Sequence, residues 1–214
     1  MNLRLALAIL SMLTPLAVFG GDDAQPGKGI VRKIKGAAQY DSGDGQWKPL
    51  TKDTRIVDGA TIKTGTNAMV DISLGINGTV LRVAPETTVK FEKMDFRGSG
   101  ENAVIRTLLA LEEGRILGSA ILIGHESRYE IKTPTGVSGL RGEESAYDIN
   151  STKDSDGKYE TIYICLKGTV VGADTHWVHN SFVLEPGQGT SGLETKPAKA
   201  FHLPPITLPK PSAW

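Results

Sequence analysis

Residues 68–93 read AMVDISLGINGTVLRVAPETTVKFEK, and the spacing of their apolar side chains decides the fold class. Val70, Ile72 and Leu74 alternate with Asp71 and Ser73, Leu81 and Val83 flank Arg82, and Val89 and Phe91 alternate with Lys90 and Glu92. A period of two sends every second side chain to one face, which is the mark of a half-buried β-strand. Asn77-Gly78 stands between the first two runs, where a positive φ is easily reached, and signals a turn.

The same pattern continues outward. RYEIKT at 128–133 sets Tyr129 and Ile131 against Glu130 and Lys132, and Asp44-Gly45 and Asp58-Gly59 are further turn signals. The chain is therefore expected to be all-β, built from many short strands punctuated by glycine. ENAVIRTLLALEEG, residues 101–114, leaves two readings open. Its apolar positions 104, 105, 108, 109 and 111 suit an amphipathic helix ending at Gly114, and equally a strand followed by a turn.

The ends divide off from this body. Residues 1–20, MNLRLALAILSMLTPLAVFG, place one arginine before an apolar run and small residues after it, the order of a secretory signal peptide. Residues 21–29 read as a short linker, 30–185 as the β domain, and 186–214 as a tail holding six of the eleven prolines. Proline removes backbone donors and favours extended chain, so the tail is expected to be flexible or draped. No membrane span is expected once the signal is cleaved.

Composition excludes several partners. Cleavage after residue 20 removes Arg4 and no acid, leaving 23 bases against 24 acids, with no basic patch to attract nucleic acid. Cys165 is the sole cysteine, so no intrachain disulfide can form, and its apolar neighbours suggest a buried hydrophobe rather than a nucleophile.

Chemistry-bearing motifs are lacking. His176 and His179 are three apart in a strand-like segment, where they would not share a face, so a metal site is not expected. TKDSDGKYETIY at 152–163 resembles a calcium loop, but with Gly157 at the turn its twelfth position is Tyr163 rather than an acid. A polar hairpin loop between strands 144–149 and 159–166 fits better. No G-x-S-x-G, H-E-x-x-H or phosphate-binding glycine loop occurs. No enzymatic activity, catalytic residue or cofactor is expected.

Seven further stretches occur in a telling order: DGQWKPL at 44–50, DGATIKTGTNAMVDISL at 58–74, NGTVLRVAPETTVKF at 77–91, LEEGRI at 111–116, IKTPTGVSGLRG at 131–142, YICLKGTVVG at 163–172 and VLEPGQG at 183–189. Together they resemble the FecR domain of bacterial envelope proteins. That resemblance implies a solenoid-like or sandwich-like β domain in the periplasm or cell envelope of a Gram-negative bacterium. It implies a binding module, with another envelope protein as partner and a sensory or scaffolding role. The best-known relatives carry an anti-sigma segment and a membrane helix ahead of this domain. Here only residues 21–29 separate the signal from the first strand, so a stand-alone form is expected.

After Arg141-Gly142 the chain departs from the family pattern, with Glu143 and Ser145 in place of Thr and an aromatic, and Tyr147 as the nearest ring. One reading makes 131–149 structural, with Arg141 tying a turn to a carboxylate or to carbonyls and Gly136 and Gly139 allowing tight turns. The other makes Arg141, Glu143, Glu144 and Tyr147 a partner-binding edge. A carbohydrate or cell-wall ligand is the alternative partner, stacking on Trp47 and Trp177, with Tyr147 beside them. Against it, the two tryptophans are expected to fill the core.

Overall fold

The runs 69–74 and 79–83 pair as one hairpin, with Val70 opposite Val83 and Ile72 opposite Leu81, so one face carries these four side chains into the core. A computed structural model of the chain describes residues 24–75, 78–98, 103–122, 126–174, 181–191, 196–204 and 206–208. The strands are β1 (Gln25–Pro26), β2 (Gly29–Lys35), β3 (Ala38–Asp41), β4 (Lys48–Pro49), β5 (Arg55–Ile56), β6 (Thr61–Thr64), β7 (Met69–Leu74) and β8 (Thr79–Val83). They continue with β9 (Thr88–Arg97), β10 (Val104–Ile121), β11 (Arg128–Thr133), β12 (Gly136–Lys153), β13 (Tyr159–Asp174), β14 (Ser181–Leu184), β15 (Gln188–Thr190) and β16 (Lys196–Pro197). The domain is all-β and is not closed into a barrel.

Three long strands organise it. The first part of β10, Val104–Glu113, pairs with β9 and β11, whereas its second part, Gly114–Ile121, pairs with β12, and residues 116–119 of that part also pair with β8. Strands β12 and β13 are shared in the same way. Residues 136–139 of β12 lie against β11 and 144–151 against β10, while residues 170–173 of β13 lie against β14 and 163–164 against β15. Each strand thus serves two half-sheets. The first is β1, β3, β4, β6, β9 and β11 with β14, and the second is β2, β5, β7, β8 and β15 with β16. Strands that bend from one sheet into the next make the corners of such a sandwich.

Glycines sit at all three bends, Gly114 (φ 96°), Gly142 (φ 95°) and Gly168 (φ 69°), a backbone region that side chains disfavour. Every bend also switches which alternate residues face the core. In β10 the inward set passes from Leu109 and Leu111 to Ile116 and Ala120; in β12 it passes from Leu140 to Tyr147 and Ile149. In β13 it passes from Tyr163 and Cys165 to Val170. Both half-sheets therefore feed one core, in which Phe91, Leu109 and Ile131 of the first join Ile72, Leu81 and Ile116 of the second.

Residues 104–121 settle as one strand that continues through its bend at Gly114, with neither a helix nor a chain-reversing turn there. Gly139 likewise lies within β12, opposite Glu130 and Val171, rather than in a turn. The hairpin loop expected between β12 and β13 is present: Asp154 Oδ1 accepts the backbone N–H groups of Asp156 and Lys158. Of residues 186–214, β15 and β16 join the sheet, and a 3-10 turn, Ala198–Phe201, follows. In the segment read as a linker, β1 pairs with Phe96 and Asp95. The stretch read as a signal peptide, residues 1–20, lies outside the described residues. Among the described residues no helix is long and apolar enough to cross a membrane.

Candidate recognition surface

Most of the stretch 131–149 is structural. Thr133 Oγ1 accepts the N–H of Gly136 at 3.1 Å and shares a 2.6 Å hydrogen bond with the Tyr163 hydroxyl, which pins the Thr-Pro turn to β13. Tyr147 is fully buried. Its hydroxyl lies 2.8 Å from that of Tyr129, and its ring fills the space where Gly118 has no side chain. Burial pushes both phenols above the ordinary tyrosine range. Tyr147 therefore has no surface to offer a partner or a sugar, and the candidate edge reduces to its three charged members.

Those three stand at the bend of β12. Between the pairs Arg141–Thr169 and Ala146–Lys167, four residues of β12 oppose Gly168 alone, and this wide bulge pushes Arg141, Glu143 and Glu144 into solvent. Ser145 Oγ donates to the Arg141 carbonyl at 2.6 Å and ties the bulge together. Glu144 pairs with Lys167 at 2.5 Å, with both side chains half-exposed, so the pair adds about 0–1 kcal/mol. Arg141 meets no carboxylate among the described residues; its Nη1 reaches the neighbouring Leu140 carbonyl at a long 3.4 Å.

Register places an apolar patch beside this arginine. Val137, Gly139 and Arg141 share one face of β12, Val171 lies opposite Gly139, and Val183 of β14 lies opposite Val171. Val137 and Val183 are exposed, by 39% and 59%. No gap in sequence patterning announced the patch, because its valines alternate as any strand residues do. Hairpin register alone would have joined them.

The aromatic candidates separate. Trp47 is 40% exposed and does not fill the core as expected; the Lys63 ammonium sits 4.4 Å above its ring. Trp177, with His125, His176 and His179, lies outside the described residues. A depression lined by Gly27, Leu74, Met94, Phe96, Ile105 and Thr107 has a volume near 20 Å³, room for a water molecule and not for a buried sugar ring. Burial raises the Cys165 thiol, so it is not an activated nucleophile. No group of three or more His, Cys, Asp or Glu that could hold a metal occurs among the described residues.

Two arginines escaped the sequence reading, Arg82 entering it only as a polar-face residue and Arg115 only within LEEGRI. Arg82 grips Asp71 through Nε and Nη2 at 2.6 and 2.7 Å, and Arg115 grips Asp148 through the same atoms at 2.8 and 2.5 Å. Asp71 and Arg82 could have been found from the hairpin, since they stand opposite each other across its turn.

The fold is thus an open, sandwich-like β domain of bent strands, with an apolar patch and a charged rim on its surface. The chain belongs to the FecR protein family, whose model matches residues 60–171, more than half of its length. FecR-type domains are non-catalytic structural or sensory modules, typically associated with the periplasm or envelope. No curated protein matches the chain. Two crystal structures, at 1.65 and 2.50 Å resolution, of a protein from Parabacteroides distasonis described as a candidate anti-sigma factor are similar to it. Each shows 12% identity and a TM-score of 0.47 over 64% of this chain and 59% of that one. The similarity thus spans less than two thirds of that protein.

Proposed function

We propose that the protein is an exported, non-enzymatic binding module of the bacterial envelope that recognises another envelope protein in a sensory or scaffolding role. The observation that carries this reading is the exposed valine patch, Val137 and Val183 around Gly139, rimmed by Arg141, Glu143 and Glu144. An apolar centre with a charged rim is the common anatomy of a protein interface. FecR-like domains often interact with other envelope proteins, which supports the same reading.

The test is recovery of the partner. The full-length tagged chain is crosslinked in intact cells, beside Val183→Lys and Arg141→Glu variants. A specific envelope protein should come down with the unaltered chain and be lost with both variants. If it is recovered equally from all three, this face is not the interface.

The exposure of Trp47 favours one second reading, a carbohydrate ligand stacked on that ring. Quenching of tryptophan fluorescence by sheared peptidoglycan, abolished in Trp47→Ala, is its expected signature; no quenching removes it.

A further inference from the structure

The second half-sheet has an outer face that the valine patch does not include. Asp71, Arg82, Leu117 and Asp148 are consecutive cross-strand neighbours on β7, β8, β10 and β12, and Arg115 lies two residues along β10 on the same side. Alternation brings Val80 and Ile164 to this side too. Val80 and Leu117 are at most 1% exposed and Ile164 is 5% exposed, yet none of them belongs to the main core. Something therefore covers them from outside.

The proline-rich tail reaches this face. The carbonyl of Pro204 accepts from Arg115 Nη1, and the carbonyl of Thr207 accepts from Arg82 Nη1. In both arginines the Nε–Nη2 edge is committed to an aspartate, so the fork is held rigid and only Nη1 is left to point at the tail. Upstream, Phe201 lies against Gly189, where any side chain would collide with its ring.

The spacing has a physical reading. Arg82 and Arg115 lie on adjacent strands two residues out of step, which separates their backbones by about 8 Å. A polyproline helix repeats the direction of its carbonyls every three residues, about 9 Å. Pro204 and Thr207 are three apart. Proline also suits the place, because a sheet face offers no backbone acceptors and proline brings no N–H to be orphaned there.

We propose that this face is a binding site for an extended, proline-rich segment, read through carbonyl oxygens by Arg82 and Arg115. Its resident ligand is the chain's own tail at Pro204 and Thr207, and it takes a proline-rich segment of a partner when that tail is lifted. This inference is independent of the valine patch.

The test uses the full-length chain and, as probe, a fluorescent peptide of residues 201–214. A variant in which 203–208 are replaced by Gly-Ser repeats should bind the peptide at least tenfold tighter than the unaltered chain, whose site is filled. Arg82→Lys and Arg115→Lys, added to that variant, keep each aspartate's counter-charge but lose the fork, and should weaken binding at least tenfold. A folded repeat variant that ignores the peptide, or binding indifferent to the lysine changes, overturns the proposal. If the repeat variant does not fold, the unaltered chain decides. Excess peptide carrying a benzophenone at position 206 should then label β8 or β10 and be competed by unlabelled peptide; no such adduct overturns the proposal.

Discussion

At the scale of residues, stability is concentrated in a few buried polar pairs. The hydroxyls of Tyr129 and Tyr147 satisfy each other 2.8 Å apart in the core. Replacing one by Phe strands the other, at about 1–3 kcal/mol, whereas removing both leaves nothing unpaired. Denaturant melts should show Tyr129→Phe and Tyr147→Phe each less stable than the double variant. The same pair sets a pH limit. Both folded-state pKa values are raised above the ordinary 10.0, chiefly by burial, so above that pH the unfolded chain releases protons that the folded chain retains. Their stabilisation is complete below pH 10 and falls as pH rises beyond it, by up to about 1.4 kcal/mol per unit per tyrosine. Stability measured from pH 9 to 11 should drop more steeply in the wild type than in the double Phe variant. Ion pairs divide by burial in the same way. Asp148→Ala leaves Arg115, 9% exposed, without its carboxylate and should cost about 3–5 kcal/mol, while Glu144→Ala at the exposed Lys167 pair should cost under about 1 kcal/mol.

At the scale of elements, alternation decides what a sequence reader can see. Strands β7, β8 and β11 were legible because each keeps one alternation from end to end, and β9 because it keeps one as far as Phe91, before its bulge passes the inward set to Met94. Strand β10 was not, since before Gly114 it carries apolar side chains on both faces, Ile105, Leu109 and Leu111 inward and Val104 outward. With Leu108 also half-buried on the outward face, the two sets together imitate a helical spacing. The valine patch and the arginine grips were hidden for a different reason, because both depend on register between strands far apart in the chain. The bends also rank in their tolerance. A side chain at Gly168 would meet Ser145 Oγ at 2.4 Å and the Glu144 carbonyl at 2.6 Å, while one at Gly142 meets nothing within 4 Å. Gly142→Ala should therefore cost only the backbone penalty of about 1–2 kcal/mol. Gly168→Ala adds a collision with backbone and should melt well below it in a thermal scan.

At the scale of the whole molecule, the steps that resemble the family are mostly the fastenings of the sandwich. Thr64 Oγ1 donates to the Ala84 carbonyl at 2.6 Å and accepts the Thr87 N–H at 2.9 Å, while Thr87 Oγ1 accepts the Arg115 N–H at 2.9 Å. The Thr-Gly, Ala-Pro and Gly-Arg steps thus meet at one corner and serve the fold. On the surface lie a valine patch at one half-sheet and, at the other, the Pro204 and Thr207 carbonyls against two arginines. The most direct test of the first is site-resolved. A photoreactive benzoylphenylalanine replaces Val183 in one strain and Val57, also exposed but away from the patch, in another. Irradiation of intact cells should give one discrete adduct to an envelope protein from position 183 and none from 57. Adducts from both, or from neither, would contradict recognition through this face.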